Sequence, residues 1–203
     1  MVLQVTQGSP MATQPSMYTL FIQLEPLQIE PPVWRLIRVN SDCTLRKLHH
    51  FIQAAFGWHS CHLHEFQVGL NRYTPLDPEF TDLQDGTQDD RRIKLTKAFK
   101  HVDRVRYTYD FGDSWQHVIA LEAQEPSNVS GTWCEVLDGA GACPPEDVGG
   151  VPGYQDFLQL IAQPDSEEGQ EALAWAGGHF DPRLFDCRAA NAAVQRICNN
   201  LWG

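Results

Sequence analysis

The alternation and recurrence of apolar positions along this chain outline most of its elements. From Tyr18 to Leu24 β-favouring residues run together, Pro26 and Pro31-Pro32 interrupt them, and Val33 to Val39 resumes the pattern, predicting a hairpin with a long turn. Leu45, Leu48, Phe51, Ile52, Ala55 and Phe56 recur at helical spacing. Thr44 precedes them as a natural N-cap, and Gly57 follows where a left-handed residue ends a helix. Leu63 to Leu70 predicts a third strand, and residues 71–90 a long polar, acidic connection. Two further strands are expected near 103–111 and 114–122, then an irregular region to about Val151. Helices are expected near 153–163, 167–176 and 187–200. Strands early and helices late predict an α+β fold: an antiparallel sheet, one helix packed on a face, and a helical C-terminal part. Residues 1–16, rich in Gln, Thr, Ser and Pro, read as a disordered tail, which leaves 17–203 as a single domain.

The densest chemistry lies in Tyr109-Asp110-Phe111-Gly112-Asp113-Ser114-Trp115-Gln116-His117. Gly112-Asp113 between two alternating strands suggests a two-residue turn of type II′. That turn pairs Phe111 with Ser114, Asp110 with Trp115 and Thr108 with His117. Parity then gathers Val105, Tyr107, Tyr109, Phe111, Ser114, Gln116, Val118 and Ala120 on a mostly apolar face. Arg106, Thr108, Asp110, Trp115, His117 and Ile119 share the other, with Asp110 and His117 as diagonal neighbours. The plainer account makes Asp110 and Asp113 turn formers and His117 a polar residue on a half-exposed face. The Asp-Phe-Gly triplet is shared with protein kinases, but the Gly-rich phosphate loop and the H-R-D loop are missing.

Composition narrows the classes. With 15 Lys and Arg against 26 Asp and Glu, the formal charge is −11, which disfavours nonspecific attraction to nucleic acid or anionic membrane. No apolar run is long enough to predict a transmembrane helix, and no export signal is recognisable. Cys43, Cys61, Cys134, Cys143, Cys187 and Cys198 contain no C-x-x-C and read as reduced thiols of a cytoplasmic protein. Arg91, Arg92, Lys94, Lys97, Lys100, Arg104 and Arg106 supply nearly half of the 15 basic residues. They could dock a polyanion such as DNA, but the reading favoured here pairs them with the acidic stretch just before them.

Metal chemistry has its own candidates. In Cys61-His62-Leu63-His64-Glu65, strand periodicity would place His62 and His64 on one face, as two imidazoles on one metal require. With Asp110 and His117 they would form a mixed His/carboxylate site suiting zinc, manganese or iron. Histidines hydrogen-bonded for purely structural ends are the plainer account. Cys61 is expected as a packed thiol, and the loop 139–150, with Glu146 and Asp147 at its tip, as an ordered cap on the sheet.

These residues resemble the plasmid pRiA4b ORF-3-like family, whose domains occur on plasmids, beside transposable elements and on bacterial chromosomes. The resemblance rests on Pro32-Val33-Trp34-Arg35, Leu48-His49, Phe56-Gly57-Trp58 and His62-Leu63-His64-Glu65-Phe66. It continues through the 109–117 motif, Cys143-Pro144-Pro145-Glu146-Asp147-Val148-Gly149-Gly150, Gly153-Tyr154 and His179-Phe180-Asp181-Pro182. What it implies is an α+β domain without a settled activity. A recombinase role finds no support, because no nucleophile in an arginine-rich site is visible.

Three functions follow as expectations. The preferred one is a non-enzymatic binding or accessory module that grips a protein or small-molecule ligand through Trp58, Asp110, Trp115 and His117. The second is a metal-dependent enzyme, for instance a hydrolase, with His62, His64, Asp110 and His117 on the metal and Asp113 or Glu146 as general base. The third is a DNA-associated accessory protein using residues 91–106.

Overall fold

Burial of alternate strand residues organises the molecule around one sheet. The computed structural model describes residues 15–26, 29–76, 86–129 and 131–199. The first strands are β1 (Ser16–Leu24) and β2 (Trp34–Asn40), followed by helix α1 (Leu45–Phe56). Then come β3 (His64–Val68), β4 (Asn71–Thr74) and β5 (Gln88–Asp89), a 3-10 turn at Asp90–Arg92 and the short helix α2 (Leu95–Ala98). The hairpin β6 (Arg104–Tyr109) and β7 (Trp115–Pro126) and the strand β8 (Cys134–Ala140) precede helices α3 (Gly150–Ile161), α4 (Glu167–Trp175) and α5 (Cys187–Cys198). The strands form one eight-stranded sheet in the order β5-β4-β3-β6-β7-β1-β2-β8. Its pairs are antiparallel apart from β4–β5. The α+β class and the largely antiparallel sheet are as the sequence predicts.

The first hairpin and α1 also match. β1 and β2 pair antiparallel from Met17↔Asn40 to Gln23↔Trp34. Thr44 Oγ1 accepts from Lys47 N, and Gly57 ends α1 at φ 102° in the left-handed region. Leu45, Leu48, Phe51, Ile52, Ala55 and Phe56 are buried in the same core as Leu20, Ile22, Ile37, Val39, Val105 and Tyr107. The three C-terminal helices lie close to their expected ranges, and residue 200, the last expected of α5, lies outside the described residues.

Four expectations need correction. Residues 71–74 are not loop: they form β4, paired with β3 at Phe66↔Tyr73, while 77–85 fall outside the described residues. The irregular stretch after Glu125 contains β8, an edge strand that pairs with β2 from Val39↔Cys134 to Trp34↔Ala140. Its alternation is interrupted by a bulge near Leu36/Ile37, which hides it from a period-two reading. Of the expected tail, 1–14 lie outside the described residues, but Ser16 already pairs with Pro126 in the ladder.

The fourth correction is the β6–β7 register. The structure pairs Tyr109 with Trp115, Thr108 with Gln116 and Tyr107 with His117, one residue away from the expected pairing. A one-residue slip sends every side chain to the opposite face. Trp115, His117 and Ile119 therefore join Tyr107 and Tyr109 in the core, and Gln116 faces solvent. The cause is Asp110: its Oδ1 accepts from Gly112 N at 2.8 Å and Asp113 N at 3.4 Å, and Ser114 N donates to Asp110 O at 2.6 Å. These bonds close a five-residue loop whose left-handed positions are Asp110 (φ 56°) and Ser114 (φ 55°), rather than Gly112.

Candidate functional site

Three loops meet beside that turn: 57–63 between α1 and β3, 110–114, and 141–149 between β8 and α3. All four non-glycine residues with left-handed backbone among the described residues lie in them: Ser60, Asp110, Ser114 and Asp147. Such conformations cost energy and persist only where the surroundings over-determine them.

The 141–149 loop is clasped from several sides. Arg35, 2% exposed, donates to Ala55 O, Trp34 O, Ala140 O and Gly141 O, and its guanidinium lies between the rings of Phe56 and Phe185. Burial lowers its pKa to about 10. Trp58 Nε1 donates to Pro144 O at 3.1 Å, and Gly149 N donates to Asp113 Oδ2 at 3.1 Å. At Gly150 a Cβ would stand 2.5 Å from Asp113 O, so the approach of this loop to the hairpin requires glycine. Glu146 Oε1 accepts from His59 N at 2.9 Å and from Tyr109 Oη at 3.0 Å.

The 57–63 loop is pinned by a buried network whose proton positions can be deduced. Ser60 N donates to Gln53 Oε1, which fixes the Gln53 amide with Nε2 toward Tyr107 Oη at 3.0 Å. Tyr107 Oη accepts there, so its own proton goes to His49 Nδ1 at 2.8 Å. His49 is then the Nε2–H tautomer and donates to Ser60 Oγ at 3.2 Å. In this arrangement His49 holds Ser60 rather than activating it as a nucleophile. Beside it, at 3.6 Å between centroids, the His64 ring stacks on His49, and His64 Nε2 donates to Asp90 Oδ2 at 2.8 Å. Arg46 grips the same buried carboxylate at 2.9 Å. Burial lowers the pKa of His64 and Asp90 only partly counters it; at Asp90 burial acts upward, but the bonds from His64 and Arg46 outweigh it.

Around His62 the chemistry is open. Its Nε2 lies 3.1 Å from Asp147 Oδ1, 3.5 Å from Asp110 Oδ2 and 3.9 Å from Glu146 Oε2. None of the three contacts has hydrogen-bond geometry, and the atom itself is enclosed. Two trios bring their ligand atoms within 4.8 Å of one another: His62, Asp110 and Asp147, and Cys61, His62 and Glu146. Cys61 is exposed rather than packed; its N donates to Tyr109 Oη at 3.2 Å and its Sγ lies 3.6 Å from the same oxygen.

The structure thus brings together His62 and Asp110 of the four metal candidates, and adds Glu146, Asp147 and Cys61. It does not bring His64 or His117. His62 precedes β3, so the strand periodicity that would align it with His64 does not reach it, and His64 turns inward. His117 is 1% exposed and ringed by Phe56, Trp58 and Tyr107, with neither ring nitrogen in a hydrogen bond. Burial lowers its pKa to about 3, the nearby backbone of Tyr107 and Trp115 opposing in part. Of the binding candidates, Trp115 and Trp58 are also buried, and Asp110 alone borders the cluster. The candidate bases are occupied: Asp113 by Gly149 N, Glu146 by Tyr109 and His59 N. In the basic run, Arg91 and Arg92 face Asp89 and Lys94 faces Asp42. Sequence reasoning missed Arg35 and Tyr109 as positioning residues; the available signal for the first was its parity with Ile37 and Val39, which puts a cation on the apolar face of the strand.

No helix among the described residues is long and apolar enough to cross a membrane. A family model described as plasmid pRiA4b ORF-3-like protein matches residues 16–189. The uncharacterized protein y4hQ of Sinorhizobium fredii is 38% identical over 172 residues, covering 83% of this chain and 87% of its own. The crystal structure of MM3350, a protein of unknown function from Methanosarcina mazei Go1, superposes with a TM-score of 0.76 at 31% identity, covering 87% of this chain and 97% of that one.

Proposed function

This chain belongs to the plasmid pRiA4b ORF-3-like family, and we propose that it acts as a non-enzymatic binding or accessory module whose recognition surface is the patch around His62. One observation carries the reading. Leu63 and Phe111 are 60% and 53% exposed although they sit inside otherwise packed motifs, and they flank His62 and Asp110 in sequence. The backbones of their segments are joined by the bond from Asp110 N to Leu63 O at 2.9 Å. Apolar side chains without a packing duty beside an acidic cluster make an anchor-and-rim arrangement suited to a protein or small-molecule partner. The engagement of Asp113 and Glu146 in structural hydrogen bonds favours binding over acid–base turnover. Trp58, Trp115 and His117 serve this surface from below, as the floor that holds its loops.

The test is site-directed photo-crosslinking in the native host. A photo-reactive residue at position 111 is expected to give discrete adducts that one at Leu70, 98% exposed and outside the patch, does not give. Leu63→Ser should remove them. Identical adduct patterns at 111 and 70 would sink the reading.

A further inference from the structure

We infer that His62, Asp110 and Asp147 form a site for one divalent transition-metal ion; the inference rests on the reading of this patch as the recognition surface and names what sits at its centre. The donor spacing is the first argument. Bonds of about 2.0–2.2 Å from a metal to imidazole nitrogen and carboxylate oxygen place two donors of one tetrahedral or octahedral ion roughly 3.0–3.4 Å apart. The separations from His62 Nε2 are 3.1 Å to Asp147, 3.5 Å to Asp110 and 3.9 Å to Glu146. The two aspartates need little closure, and their donor atoms and His62 Nε2 lie within 4.8 Å of one another; Glu146 falls outside that trio.

The second argument is the state of His62 itself. An imidazolium held by acids would direct its N–H at one of them. Here Nε2 is enclosed, surrounded by three carboxylates, and in hydrogen-bond geometry with none. A lone pair facing a shared cation satisfies that atom, and the cation neutralises three carboxylates whose common ion-pair partner is His62.

The third is the support behind the donors. Asp110 Oδ1 is held by Gly112 N and Asp113 N, which leaves Oδ2 for the site. Glu146 is held by His59 N and, at both of its oxygens, by Tyr109 Oη at 3.0 and 3.3 Å, and stands beside the site as a neighbouring charge. Ligands oriented by outer bonds, as Asp110 is, are pre-organised for metal. One imidazole with carboxylates suits zinc, manganese or iron(II). Three protein donors, with Asp147 73% exposed on its side chain, leave an outward coordination position for a partner's own donor group.

Zinc titration of chelator-stripped, untagged full-length protein by calorimetry tests this. One Zn2+ per chain is expected. His62→Ala and Asp147→Asn should each weaken it by at least the roughly 10–100-fold that loss of even an outer-shell partner costs. His101→Ala, at an exposed histidine elsewhere, should leave it unchanged. Asp147 is exposed enough that its variant will fold, so the assay stays decisive if His62→Ala does not. No zinc binding by the wild type, or equal affinity in Asp147→Asn, overturns the inference. The crosslinking at position 111 needs no metal, so its failure and this one are separate results.

Discussion

His62 and His64 stand two residues apart, and each meets carboxylate, yet their circumstances are opposite. His64 is buried, donates to Asp90 at 2.8 Å, and shares that carboxylate with Arg46. Every charge there has an answer inside the protein. His62 is 29% exposed on its side chain and faces three acids without a hydrogen bond to any. The closed group can be read as structure; the open one leaves His62 Nε2 enclosed and without a hydrogen-bond partner in the chain. A pairing of His with Asp is therefore not informative until its satisfaction is known.

The largest expected effect breaks the closed side. Asp90→Ala strands His64 and Arg46 and should cost about 3–5 kcal/mol, measured by urea unfolding. Trp115→Ala, in the core between Trp58 and Tyr154, should cost a similar amount, about 3–5 kcal/mol, because it empties a fully buried site. If Trp115→Ala kept full stability, the register that buries it would be wrong.

Acid should act on the closed side next. The folded-state pKa of His117 is depressed from 6.5 to about 3, so the unfolded chain takes up the proton first. Stability is then complete above about 6.5 and falls by roughly 1.4 kcal/mol per pH unit as pH drops toward 3. His49 and His64, lowered by burial, act in the same direction. Unfolding midpoints stepped down from neutral pH check this; a flat profile down to pH 3 would contradict it. The smallest effect sharpens the open side. Asp147→Asn should change stability by no more than about 0.5 kcal/mol, because the residue is exposed and holds nothing in place. A large loss there would make the two regions alike after all.

Much of the scaffold was legible locally. Thr44, the apolar spacing of 45–56 and Gly57 specify α1 through contacts within one or two turns, and the Pro-interrupted runs of 18–39 specify β1 and β2. Residues 71–74 and β8 were hidden because one is short and the other bulged. At the site, Asp110 and His62 were visible as chemistry, but Asp147 and Glu146 reach them from a loop more than thirty residues away. The β6–β7 register carried a usable signal: only the slipped pairing places Trp115, the largest apolar residue of that hairpin, on the face of Tyr107 and Tyr109.

By itself the sequence determined the α+β class, the capped helix and the first hairpin, since periodicity and capping act between near neighbours. Tertiary structure decided which histidine is closed and which is open. That choice depends on a loop geometry set by the Asp110 side chain, and on Arg35, Trp58 and Asp113 drawing the 141–149 loop against it. Such contacts form only once distant strands have paired, and pairing, not composition, sets where each side chain points.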